Sequence, residues 1–388
     1  MKIRLSIMLA IGGLSMVVEP AFAQTWTLTG APSNVWQWVA SSADGSKLVA
    51  ITAGTPFVFT STNSGQTWTS NSLPVLDFYA GAASADGSRL IGGVAGGGIY
   101  TSTDSGMTWA QATNVPNGQW ISVASSADGT RLAAVSDLFI YNSTNSGATW
   151  ISNNVPGIYW GAVACSADGR EVVAVADYGA SYISTNSGTT WMSNSIPRMI
   201  WGSVASSADG SKLIVAVGLG NAGPIYTSTD SGVTCVSNNI PNNDWTSVAS
   251  SADGTTLIAS MWTSDGGGSI YTSTNSGGIW KSNSLPSLKW RCVAASADGK
   301  TLVAGGVGGI WISRTTPAPR LTAAPTNSNL KLSWLVPSTN FVLQQNVDLS
   351  TTNWADVTNP PVLNLTNLQD EVVLSPANSS GFYRLRTP

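Results

Sequence analysis

The sequence predicts an all-β fold: a seven-bladed β-propeller closed by its own N-terminal strand, with a small C-terminal β-sandwich-like module behind it. Three observations carry this. The tetrapeptide Ser-Ala-Asp-Gly recurs with its Asp at 44, 86, 128, 168, 209, 253 and 298, a spacing of 40 to 45 residues, which is the period of a four-stranded blade. A second motif, Ser-Thr-(Asn/Asp)-Ser-Gly-x-x-Trp, follows the first six copies, its third residue falling at 63, 104, 145, 186, 230 and 275 and its last being Trp in all but the fifth, which has Cys235. The seventh copy runs through Ile310-Trp311-Ile312-Ser313 and stops without that motif, while Thr25-Trp26-Thr27 at the front of the chain matches Thr67-Trp68-Thr69.

Residues 1–23 open with Lys2 and Arg4, continue through an apolar stretch from Leu5 to Val18, and end Ala21-Phe22-Ala23. A charged start, a short apolar run and a small-x-small end predict a cleaved secretory signal. A secreted or periplasmic protein is therefore expected. No later stretch approaches the ~18 apolar residues of a membrane span.

The propeller is predicted over residues 24–313. In its first unit strand A is Trp36 to Ser42, B is Lys47 to Ile51, C is Phe57 to Ser61 and D is Thr67 to Asn71. Asp-Gly between A and B signals a tight hairpin, because Gly accepts positive φ and the Asp carboxylate bonds nearby backbone N–H groups. Asn-Ser-Gly between C and D does the same. Strand A is built of small residues, as suits strands converging on a crowded axis, and strand B carries the larger aliphatics of a sheet covered on both faces. Supplying the last outer strand from the N-terminus leaves no open sheet edge.

The second motif is that of the Asp-box, or BNR, repeat, so residues 24 to about 313 resemble the sialidase-superfamily propellers, including photosystem II stability-factor-like and sortilin-type proteins. The resemblance implies the fold. Activity has to be argued from the site. Thr315-Thr316-Pro317-Ala318-Pro319 lies in a linker, residues 314–320, and residues 321–388 show short alternating stretches, Leu330 to Leu335, Phe341 to Val347, Glu371 to Leu374 and Phe382 to Leu385. This predicts a small antiparallel module. It resembles C-terminal modules of secreted bacterial proteins that close on an aromatic-Tyr-Arg sequence.

Composition removes whole classes of function. Charged residues are only 10% of the chain, with Lys+Arg 17 against Asp+Glu 20, so no basic field exists for a phosphate backbone and nucleic acid is not an expected partner. There is no histidine, which excludes imidazole acid–base catalysis, Ser-His-Asp and Cys-His nucleophiles and His-ligated metals. No metal or cofactor is expected. Cys165, Cys235 and Cys292 stand where sibling repeats carry other residues, so buried free thiols are expected rather than a disulfide framework.

In the resembling propellers the A–B and C–D turns share one face and the D–A and B–C loops the other. The seven Ser-Ala-Asp-Gly aspartates and the motif residues Asp104 and Asp230 then belong to the turn face, where they read as turn formers. Lys47, Arg89, Arg131, Arg170, Lys212 and Lys300 lie on that face too. Five aspartates remain for the loop face: Asp77, Asp137, Asp177, Asp244 and Asp265. Arg198, Lys289 and Arg291 join them there.

An aromatic residue stands eight positions before every Ser-Ala-Asp-Gly Asp: Trp36, Phe78, Trp120, Trp160, Trp201, Trp245 and Trp290. Such a ring could stack sugars, but a residue repeated in every unit reads first as packing between blades. The irregular aromatics Trp38, Tyr79, Tyr159, Tyr178 and Trp262 are the better ligand candidates.

A sialidase grips its substrate carboxylate with three arginines and uses a Tyr–Glu nucleophile pair, and here that face offers only Arg198 and Arg291 and no Glu. The expectation is a monomeric, non-catalytic binding or scaffold propeller presenting its loop face to a protein or glycan. The alternative is a glycoside hydrolase using two of the five loop aspartates, which requires carboxyl groups about 5 to 10 Å apart.

Overall fold

The computed structural model describes residues 25–314 except 74–77, 154, 156–158, 178 and 219, and further residues 321–326, 329–335, 342–346, 351, 353–364, 369–374 and 382–386. Contacts divide the chain into two units, one of them Thr25–Arg314. No helix among the described residues is long and apolar enough to cross a membrane.

The first blade pairs Trp36–Ser41, Leu48–Thr52, Phe57–Ser61 and Thr69–Ser72 as antiparallel neighbours in chain order. The same A-B-C-D order follows from Phe78, Gly118, Trp160, Trp201 and Trp245, making six such groups among the described residues, the second and third joined edge to edge through Leu90–Gly97 and Gly118–Ser125. The seventh group has Trp290–Ala295, Thr301–Gly306 and Gly309–Arg314 and takes its outer strand from Thr25–Leu28, with Trp26 opposite Ser313 and Leu28 opposite Trp311. Trp26 also donates from Nε1 to Asn283 Oδ1 of the sixth blade at 3.1 Å. Strand B is buried end to end in blades one, three, four, five and seven, as its sandwiching between neighbouring sheets demands.

Closure is visible in the backbone. Ala43 N–H donates to Ala85 O, Ala85 to Ala127, Ala127 to Ala167, Ala167 to Ala208, Ala208 to Ala252, Ala252 to Ala297, and Ala297 back to Ala43, all at 2.7–2.8 Å. These are the Ala residues of the seven Ser-Ala-Asp-Gly turns, so each turn satisfies its neighbour's otherwise orphaned amide.

The seven repeated aromatics are 0–3% exposed. They are packing residues, and six of them meet an aromatic of strand C in their own blade, for example Trp245 against Tyr271 with centroids 5.5 Å apart and planes at 75°. Edge-to-face pairs of this kind add about 0.5–1.5 kcal/mol to the burial itself.

The C-terminal strands form two antiparallel sheets. One runs Thr322–Thr326, Asn329–Leu335, Gln369–Leu374, Val362–Asn364, the other Ala355–Asp356, Val342–Asn346, Phe382–Arg386. Leu332 and Val372 of the first pack with Leu343 of the second, which is a small sandwich. Arg384 donates twice to Gln344 Oε1, at 2.9 and 3.0 Å, and lies 4.2 Å over the Trp354 ring.

Candidate functional site

The turn face satisfies its own polar groups. Asp86 accepts from Ser84 Oγ at 2.6 Å and from the N–H and hydroxyl of Ser88 at 3.0 and 2.8 Å; these bonds, the Ser84 hydroxyl first, hold its carboxyl at about 2. Asp44 and Asp128 are held at about 2 in the same way. Lys47, Arg131 and Lys212 each reach forward to the backbone carbonyl of the next blade's Asp, Asp86, Asp168 and Asp253, at 2.8–2.9 Å. In the second turn Ser61 Oγ accepts from Gly65 N–H at 2.8 Å, Asn63 Oδ1 from Thr67 N–H at 2.9 Å, and Trp68 Nε1 donates to Gly65 O at 3.1 Å. Ser64 and Gly65 there take φ of 55° and 83°. Apart from the Ser313 hydroxyl, which has no second turn to serve and no partner among the described residues, these groups have local jobs, which leaves this face with turn-forming chemistry.

The opposite face is irregular. Each blade carries a β-bulge in strand A directly after its packing aromatic, at Gln37, Tyr79, Ile121, Gly161, Gly202, Thr246 and Arg291. A bulge leaves its extra residue out of the ladder and re-aims its side chain. Blades four and five carry glycine for a packing reason: a Cβ on Gly161 would lie 1.9 Å from Trp201 O, and one on Gly202 2.5 Å from Gly218 Cα. The remaining bulges differ in every blade. Sequence reasoning named Tyr79 and Arg291 but missed Gln37 and the ring itself. The signal was present as the one freely varying position inside an otherwise monotonous strand.

Three of the sequence candidates converge. Lys289 Nζ lies 5.0 Å and Arg291 Cζ 5.3 Å from the centroid of the Trp262 ring. Arg291 Nη1 donates to Gln37 Oε1 at 2.8 Å, joining blade seven to blade one across the closure, while Arg291 Nε is buried without a partner among the described residues. Neither cation has a carboxylate within ion-pair distance among those residues. Asp244 O accepts from Trp262 N–H at 3.4 Å, and its carboxylate Oδ1 is buried and unpartnered.

A second node links blades three and four. Tyr159 N–H donates to Asp137 O at 2.7 Å and Tyr159 O accepts from Asp177 N–H at 2.6 Å. To make both bonds Tyr159 adopts φ of 61°, and its side chain is 59% exposed; a bulky residue in the left-handed region is a strained one. Burial raises the Asp177 carboxyl above its ordinary range, and its Oδ1 has no partner among the described residues.

The other candidates stand apart from both nodes. Tyr79 is 49% exposed. Asp265 is exposed at a loop tip and is consumed by Thr263 Oγ1 and the Gly267 N–H, which lower its proton affinity. Arg198 is exposed between blades. Asp77 and Tyr178 lie outside the described residues. Among the described residues no three Cys, Asp or Glu gather as a metal would require.

No family model matches the chain, and no curated protein does. Solved structures do. YCF48 bound to D1 peptide aligns at TM-score 0.54 and 16% identity over 76% of this chain and 97% of that one. YCF48 from Cyanidioschyzon merolae aligns at 0.56 and 15% over 74% and 98%. The GH74 xyloglucanase from Xanthomonas campestris aligns at 0.59 and 15% over 80% of this chain, which spans 59% of the enzyme. At these identities the likeness is one of fold: the chain is an all-β propeller.

Proposed function

We propose that the chain is an exported binding propeller that presents its loop face to a protein partner. The observation that carries this is the contrast between faces. Charged groups of the turn face are used up by the turns, where only the Ser313 hydroxyl is buried without a partner among the described residues, whereas the loop face keeps Asp177 Oδ1, Asp244 Oδ1 and Arg291 Nε so and also carries exposed Tyr79 and Tyr159. Buried unsatisfied groups each cost about 1–3 kcal/mol, and exposed aromatics are the usual anchors of interfaces. Such a face is arranged to be completed by something else. The neighbour solved with a bound peptide supports protein over glycan. A photo-crosslinking residue placed at Tyr79 or Tyr159 in the exporting cell is expected to trap one common partner, with none trapped from Met192 on the outer rim. Equal trapping from all three positions would end this reading.

One observation favours a second reading, glycoside hydrolysis. Tyr159 ties the backbones of Asp137 and Asp177 together, and the raised Asp177 carboxyl suits a general acid; a glycoside hydrolase is among the fold neighbours. Turnover of plant or microbial glucans by the purified chain, abolished by D177N, would establish it over the binding reading.

A further inference from the structure

We infer that the Lys289–Trp262–Arg291 cluster is a docking site for the carboxylates of an acidic peptide segment. The inference rests on the loop face being the partner-binding face and specifies what it recognises.

The argument starts from charge. Two cations lie 5.0 and 5.3 Å from the centroid of one indole, which gathers two like charges on a single residue, and no described carboxylate is near enough to pair with either. Apart from the exposed Arg198 and Lys281, the other described cations have partners. Arg170 and Lys300 pair with Asp168 and Asp298, Lys331 with Glu371, and Lys47, Arg131 and Lys212 each hold a carbonyl. Cation–π contact leaves both charges un-neutralised. An anionic segment that reaches the indole meets both charges.

The geometry is prepared for it. Arg291 is a bulge residue, so its guanidinium is turned out of the ladder toward the loop face. Gln37, the bulge residue of the next blade, accepts from Nη1 and fixes the plane of the fork. Nε is buried and has no partner among the described residues, so a carboxylate meets the remaining N–H groups of the two terminal nitrogens, taking two donors from one guanidinium edge. Lys289 supplies a point charge beside it. Trp262 offers flat apolar surface for the residues flanking the acid. The protein is acidic overall, at net charge −3, so this cluster is a local exception that an acidic segment reaches only by specific contact, and salt weakens that contact.

The test is fluorescence anisotropy with fluorescein-labelled Ala-Asp-Glu-Asp-Leu-Asp on the mature chain. It is offered with free-acid and amidated ends to separate terminal from side-chain carboxylates, beside its Asn/Gln isostere, a basic peptide and oligogalacturonate. Binding of the acidic peptide is expected to weaken at least tenfold in K289Q and in R291Q, to vanish in the double variant, to fall as KCl rises, and to persist in K281Q. Should R291Q lower the melting temperature, K289Q carries the test, since its side chain makes no hydrogen bond among the described residues. Equal binding of the isostere, an unchanged double variant, or capture of oligogalacturonate without the peptide overturns the inference. A basic peptide bound and then lost in Y159A, with the acidic one ignored, overturns it while leaving the loop-face reading intact.

Discussion

Replacing Trp26 by Ala tests whether the N-terminal strand holds the ring shut. Trp26 is half-buried and packs with Ile258 and Trp290 of blades six and seven, and its indole N–H bonds Asn283 Oδ1 at 3.1 Å. Half of a Trp side chain is about 100 Å², which at about 25 cal/mol per Å² is about 2.5 kcal/mol. A net hydrogen bond adds about 1 kcal/mol. The loss is then about 3–4 kcal/mol, or about 6–8 °C in melting temperature for a unit of this size. Differential scanning calorimetry of residues 24–388 reads it, with T25A on the same strand, an exposed side chain, as the control expected to change nothing. W26A melting within 2 °C of the parent would mean the strand is an ornament of the seventh blade and closure rests on the axial turns alone.

Other outcomes follow from the site and the turns. Tyr159→Asn relieves the strain at φ 61° and is expected to raise stability by about 0.5–1 kcal/mol in urea titration, while removing an exposed ring that partner binding uses. D177N, which removes a carboxylate that burial disfavours, should likewise stabilise the chain at neutral pH; a drop in its urea midpoint would count against the desolvated carboxylate. Asp44, Asp86 and Asp128 have folded values depressed to about 2 from 3.8, so their contribution is fully present above about pH 4 and is lost as pH falls from 4 toward 2. D86N should flatten that acid limb of the stability profile. The Cys292 thiol is pushed up to about 12 by burial, so iodoacetamide at pH 8 should leave it unlabelled until the chain is unfolded.

The blade register was legible because its determinants are local and repeated. Asp-Gly and Asn-Ser-Gly place two turns in each copy, and the alternation between them fixes the strands, so Phe57–Ser61 was read to the residue. Closure was legible because Thr25-Trp26-Thr27 matches a sibling strand. Outer strands came out shorter than expected, two residues in blades two, four, five and six, because the turn's own hydrogen bonds occupy their first residues. In the C-terminal sandwich, Thr322–Thr326 and Val362–Asn364 escaped notice, having little alternation. On the loop face the candidates could be sorted to a side but not paired. Lys289, Arg291 and Trp262 lie up to 29 positions apart and meet because a bulge, which no single blade's pattern announces, turns Arg291 out. Gln37 joins them from the far end of the chain only through closure.

The register that sets Thr25 beside Arg314 has an engineering consequence. The two ends of the propeller unit are neighbours on adjacent strands, so a short Gly-Ser bridge can splice them and new termini can be opened at an exposed tip such as Ser264. A circularly permuted chain of this kind keeps every axial bond, and converts the clasp from a contact between distant segments into one hairpin.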